Sequence, residues 1–144
     1  MAVAHILKQK GRSVVTVQPS QTVMEVADML SSKRIGAVVV VEKDGTIDGI
    51  ISERDVVKAL AAHGAEALSR KVFDVMTHDV FTCKPQDTEA DLMNMMTDNR
   101  IRHLPVVENG KLAGMISIGD VVKFRIESIE REAEKMKSYI ASAG

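Results

Sequence analysis

GIISERDVVKAL, from Gly49 to Leu60, returns sixty-five residues later as GMISIGDVVKFR, from Gly114 to Arg125. Both read Gly, two apolar residues, Ser, two variable residues, Asp, Val-Val-Lys. The likeness runs well upstream. Val14 to Ile35 (VVTVQPSQTVMEVADMLSSKRI) lies on Val80 to Ile101 (VFTCKPQDTEADLMNMMTDNRI) at an offset of 66. Val14, Thr16, Pro19, Thr22, Met29, Arg34 and Ile35 each meet an identical residue there. One residue drops out of the following turn, KDGT against NGK. Self-similarity over nearly a whole chain restricts the architecture more than any local pattern. Two copies make neither a solenoid nor a propeller, and a chain of 144 residues suits one compact domain or two very small ones. A unit of about 60 residues buries a poor core alone. The reading is therefore two copies of one small unit sharing a surface: residues 1–68, residues 69–126, and an extension of the last helix over 127–144.

Each half predicts the same order of elements. VVTV (Val14 to Val17) is β-branched and bounded by Pro19, which predicts a short strand. The next segment opens on Thr22, an N-cap with Glu25 three residues later as a capping box. Its apolar residues Val23, Val26, Ala27 and Leu30 recur at helical spacing. GAVVVV is a continuous apolar run, read as a buried strand. Asp44-Gly45, and Asn109-Gly110 in the second half, signal hairpin turns. DGIIS is the returning strand, and ERDVVKALAAHG a helix stopped by Gly64. VAHIL and VFDVM, before each first strand, read as helical turns. The order is β-α-β-β-α, twice.

The second half ends differently. From Val121 to Ile140 there is neither Gly nor Pro, and Val122, Ile126, Ile129, Ala133, Met136 and Ile140 form a heptad-like stripe on an otherwise charged helix. That seam either packs on its own domain or meets a partner helix from a second copy.

Several function classes are disfavoured. Formal net charge is −1, so no basic field draws the chain to nucleic acid or an anionic membrane. The four aromatics and nine Met argue against an aromatic platform for single strands. The longest apolar run, Ile35 to Val41, is far too short to span a bilayer. The N-terminus lacks a secretory pattern. Cys83 is the only cysteine, read as a buried, inert thiol in a reducing cytoplasm. His5, His63 and His78 are not at metal-ligand spacing. No glycine-rich phosphate loop, nucleophile triad or marked acid–base pair appears, which points to a binder rather than an enzyme.

Ser52-x-x-Asp55 and Ser117-x-x-Asp120 each fall where a strand meets a helix. Such a pair is a capping box by default. Facing a cleft, the same carboxylate can accept charge-assisted bonds from two neighbouring hydroxyls, as on a ribose, and the adjoining helix start favours an anion such as phosphate.

With the motif doubled in register, the sequence resembles the cystathionine-β-synthase (CBS) domain pair. Asp74 to Val122 follows the family pattern closely, and a parallel version spans Val3 to Leu60. The resemblance implies two pseudo-symmetric β-α-β-β-α repeats of mixed α/β (α+β) class, packed through their sheets, with the last helix extended. It implies binding of an adenosine-containing ligand (AMP, ADP, ATP, NAD(H) or S-adenosylmethionine) between the repeats, a regulatory rather than catalytic role, no required cofactor, a homodimer, and a separate regulated protein as partner. One site would use Ser52 and Asp55 for ribose, Arg54 for phosphate, Ile35, Gly36 and Ala37 for the base, and Thr77 from the opposite repeat. The other would use Ser117 and Asp120, with His103 toward phosphate and Arg12 and Ser13 entering from the first repeat. Ile118-Gly119 replaces Glu53-Arg54, so phosphate binding is expected to be weaker there. The other reading is a structural protein with empty clefts that docks a partner through its dimer surface or last helix.

Overall fold

The structure is a computed structural model and describes residues 1–143. It contains α1 (Ala2–Lys10), β1 (Thr16–Val17), α2 (Val23–Lys33), β2 (Ala37–Val41), β3 (Ile47–Ser52) and α3 (Glu53–His63). A 3-10 turn at Gly64–Ser69 leads to α4 (Val72–Val75), α5 (Glu89–Asn99), β4 (His103–Glu108), β5 (Lys111–Ser117) and α6 (Ile118–Ala143). The class is mixed α+β, with one small sheet in each repeat. In the first, β1 runs parallel to β2 and β2 antiparallel to β3. In the second, β4 and β5 form an antiparallel pair. The halves match even in their irregularities: the register shifts at Val40/Val41 and again at Val106/Val107.

Three local expectations are corrected. The strand over Val14 to Val17 shrinks to Thr16–Val17. Its counterpart VFTC keeps one parallel bridge, Cys83 to Val106, held by Cys83 N–H to Pro105 O at 2.9 Å and Val107 N–H to Cys83 O at 2.9 Å. Phe81 stands where the first repeat has Val15. Val15 packs on the core, but Phe81 is 45% exposed, so Cys83 alone anchors the segment. The Thr22 box is half made. Thr22 Oγ1 accepts from Glu25 N–H, but the Glu25 carboxylate takes Gln21 Nε2 at 2.7 Å and the Thr22 hydroxyl at 3.4 Å instead of the Thr22 backbone N–H. Thr88 and Asp91 complete both bonds at the equivalent helix. VAHIL, read as a turn, belongs to a nine-residue helix.

The two cores are assembled by exchange. Val17, Val23, Val26, Leu30, Val38, Val40, Ile51 and Val56 of the first repeat close around Val72 and Met76, which follow it in sequence. Leu92, Met96, Leu104, Val106, Ile116 and Val121 of the second close around Val3, Ile6 and Leu7 of α1. Each repeat is thus sealed by the short helix that precedes the other. Backbone bonds fix both helices in the same way. Val72 N–H donates to Gln21 O at 2.8 Å, and Val3 N–H donates to Asp87 O at 3.4 Å.

That exchange explains the glycine that opens each motif. An added Cβ on Gly49 would stand 2.7 Å from Met76 Sδ and 2.7 Å from Thr77 O. One on Gly114 would stand 2.5 Å from Leu7 Cδ2. Only a residue without a side chain lets the exchanged helix lie this close to the strand.

Candidate functional site

In both repeats the hairpin delivers the motif serine to the start of a helix, opposite a strand entrance. Ser52 pairs with Ala37, and Ser117 with His103. Both motifs are capping boxes, so the default reading holds for each. Asp55 N–H donates to Ser52 Oγ at 3.4 Å and Ser52 N–H to Asp55 Oδ2 at 2.9 Å. Asp120 N–H donates to Ser117 Oγ at 3.2 Å and Ser117 N–H to Asp120 Oδ2 at 2.9 Å.

Capping does not exhaust either carboxylate, because a side chain from beyond its own repeat meets each. Thr77 Oγ1 donates to Asp55 Oδ1 at 3.1 Å. Thr77 is positioned by a two-way backbone bridge to Ile50, at 2.8 and 3.0 Å. This brings together Ser52, Asp55 and Thr77 as the sequence anticipated. Arg54 reaches across as well, with Nη1 3.5 Å from Arg100 O at the end of α5. Arg34 and Arg100 are exposed and close their helices in the left-handed conformation, φ 53° at each. They are helix-end cations, as their positions suggest.

At the second motif the visitor is a residue the sequence reading missed. Lys10 Nζ lies 2.7 Å from Asp120 Oδ2 and 2.9 Å from Met115 O. Burial raises the Asp120 pKa, but the Lys10 bond and the Ser117 N–H outweigh it and hold the carboxyl below its ordinary value. Arg12, expected here, is instead bound to Glu108 Oε2 at 2.7 Å. Glu108 pairs with Lys111 at the turn end of the β4–β5 hairpin, whereas Ser117 pairs with His103 at the other end. Five residues of strand, about 16 Å, separate the two. Ser13 is exposed. The repeat gives no signal for Lys10: at the offset of the strands Thr77 falls on Gly11, which cannot donate from a side chain, and the residues inserted before β1 leave Lys10 without an equivalent.

His103 stands between the motifs. Its ring lies against Gly36, where an added Cβ would be 2.9 Å from Cε1. Burial, the largest influence, lowers its pKa, opposed by Glu53 and Asp120 and reinforced by Lys10 and Arg102. It is therefore a neutral imidazole at neutral pH rather than a standing phosphate cation. Ile35 is half-buried and Ala37 buried at the entrance of β2, which leaves backbone and apolar edges there. A hollow of ≈ 640 Å³ lies at the opposite end of the hairpins, lined by Thr16, Thr46, Asn109 and Lys111 among others, and contains none of the predicted site residues. Burial pushes the Cys83 thiol up to about 12, in keeping with an inert core cysteine. No metal-holding cluster of His, Cys, Asp and Glu occurs among the described residues. No helix among them is long and apolar enough to cross a membrane.

Comparison with known proteins bears on this arrangement. The chain is 33% identical to the CBS domain-containing protein CBSX3, mitochondrial, of Arabidopsis thaliana, over 96% of this chain and 71% of that protein. It is 51% identical to the CBS-domain containing protein ATU1752 from Agrobacterium tumefaciens, whose crystal structure superposes with a TM-score of 0.84 over 87% of this chain and 95% of that one. The CBS domain pair of protein MJ0100, solved in complex with 5-methylthioadenosine and S-adenosyl-L-methionine, is 25% identical with a TM-score of 0.75, over 85% of this chain and 98% of that one. The CBS domain model matches twice, at residues 5–62 and 72–127, and the chain belongs to the CBS domain family.

Proposed function

We propose that this chain is a regulatory module that binds an adenosine-containing ligand, of the AMP, ADP, ATP or NAD(H) class, in the clefts between its repeats, and that it performs no catalysis of its own. The observation that carries the reading is the meeting of each motif aspartate with a side chain from outside its repeat: Asp55 with Thr77 and Asp120 with Lys10. A ligand seated on either carboxylate touches both halves and so reports on their relative position. The MJ0100 pair supports the adenosine part of the reading, since its complex contains two adenosine derivatives, 5-methylthioadenosine and S-adenosyl-L-methionine. Asp55 suits a ribose diol. A carboxylate offers about four acceptor positions; Ser52 and Thr77 engage three of them, so one sugar hydroxyl takes the open position and the second takes the place of the Thr77 or Ser52 hydroxyl.

Thermal shift with AMP, ADP, ATP, NADH and S-adenosylmethionine tests the reading. A ligand at a hundredfold its Kd that binds only the folded state adds about 2.7 kcal/mol. Asp55→Ala should then weaken binding at the first cleft by about 1.5–3 kcal/mol. Loss of stability with unchanged affinity would leave Asp55 as a cap alone. A second reading has its own observation: Ile126, Ile129, Met136 and Ile140 of α6 are exposed, a face fitted to a partner helix. Failure of every ligand to shift the melting temperature would favour that interaction role.

A further inference from the structure

The two clefts are chemically unequal, and not in the direction their motifs suggest. Arg54 of the first motif corresponds to Gly119 in the second, sixty-five residues on. Gly119 removes the cation and leaves room: a Cβ there would find only Ser117 Oγ within 4 Å, at 3.6 Å. The missing charge returns from elsewhere. Val3 to Leu7 match Val72 to Met76 at an offset of 69, but the following strands match at 66. The first repeat therefore has three extra residues at this point, close to one helical turn, and α1 continues to Lys10 where α4 stops at Val75.

That extra turn sets the ammonium group on Asp120. Lysine has three N–H donors. Asp120 Oδ2 takes one at 2.7 Å and Met115 O another at 2.9 Å, while the third has no acceptor among the described residues. Asp120 Oδ1 likewise receives no bond among them. A free carboxylate oxygen and a free ammonium proton thus sit side by side, next to the open space at Gly119. The first suits a sugar hydroxyl, and the second suits an anionic oxygen.

We propose that Lys10 is the anion-recognising residue of the Ser117–Asp120 cleft, so that this cleft selects an adenosine ligand carrying a phosphate even though its motif has no arginine. The proposal rests on the adenosine reading above for its ligand, and its test separates the two. In an Asp55→Ala background, which weakens the first cleft, calorimetry compares AMP with adenosine. Lys10→Met should lower AMP affinity by about tenfold or more, the scale of a hydrogen bond to a charged group, with adenosine changed far less. Lys10→Arg should retain most of the preference, and Lys8→Met, on the same exposed helix end, should leave it intact. An unchanged AMP-to-adenosine ratio in Lys10→Met, or tighter AMP binding, would overturn the proposal. If neither compound binds the wild-type chain, the adenosine reading fails, and pyrophosphate alone becomes the probe. Saturable shifts of the Ile118 and Gly119 amide resonances, lost in Lys10→Met, would keep Lys10 as an anion site. Their absence would dismiss it.

Discussion

Gly49 and Gly114 look interchangeable in sequence, but their surroundings are not. A methyl group on Gly49 meets a backbone carbonyl, Thr77 O, as well as Met76. On Gly114 it meets only the side chain of Leu7. Overpacking costs about 1–3 kcal/mol in a tight interior. Gly49→Ala is expected at or above the top of that range, because the carbonyl is tied to Ile50 and cannot yield without releasing Thr77 from Asp55. Gly114→Ala should cost less and should be partly repaired by Leu7→Val. Urea unfolding of the four variants checks this, and equal costs without repair would contradict it. His103 gives a pH test. Its folded pKa lies below the ordinary 6.5 because of burial, so the unfolded chain takes up its proton first. The His103 contribution is complete above about 6.5 and is lost as pH falls from there through the folded value. Between pH 7.5 and 5.5 the wild type should lose more of its urea midpoint than His103→Gln. The serines and aspartates were legible because the motif repeats, and Thr77 only through the resemblance to the CBS domain pair. Lys10 was not, since three inserted residues take it out of register with anything in the other half.

Among the elements, α6 departs furthest from its repeat equivalent. Helix α3 stops at Gly64, whose φ of 64° suits glycine; α6 meets no such stop and runs to Ala143. The heptad-like stripe anticipated one of two fates, and the structure removes the first. Ile126, Ile129, Met136 and Ile140 are 51%, 52%, 60% and 65% exposed, so the seam does not pack on its own domain. Val57 and Leu60 of α3 are exposed apolar residues as well. If a second copy supplies the matching helix, the full-length chain should sediment as a dimer and a chain ended after Arg125 as a monomer. A full-length chain that sediments as a monomer at tens of micromolar would end this idea. Helices and hairpins were legible because their signals are local. The fate of VFTC was not, because it depends on whether Phe81 fits a space that only the folded core defines.

For the molecule as a unit, the repeats visible in sequence are not the units that pack. Sequence similarity divides the chain near residue 68, which separates Val72 and Met76 from the core they close. It also keeps α1 with the first repeat, although Val3, Ile6 and Leu7 are buried against the second. The first core is therefore continuous in sequence from about Val15 to Met76, and the second requires two distant segments. Nothing in the self-alignment could show this, since an exchange between equivalent positions leaves the pattern of apolar residues unchanged. The consequence can be measured with fragments. Residues 12–79 contain every buried member of the first core, while residues 1–68 lack Val72 and Met76 and expose the apolar face of α1. Both are small enough that stability is marginal, so two large side chains decide the outcome; truncating one such buried residue costs about 2–5 kcal/mol. The 12–79 fragment should unfold cooperatively in urea and the 1–68 fragment should not. Fragment 69–143 should gain helical signal when a peptide of residues 1–11 is added, because α1 supplies the missing wall of its core. A 1–68 fragment more stable than 12–79, or a second half indifferent to the peptide, would mean that each repeat folds on its own side and that the exchanged helices contribute little.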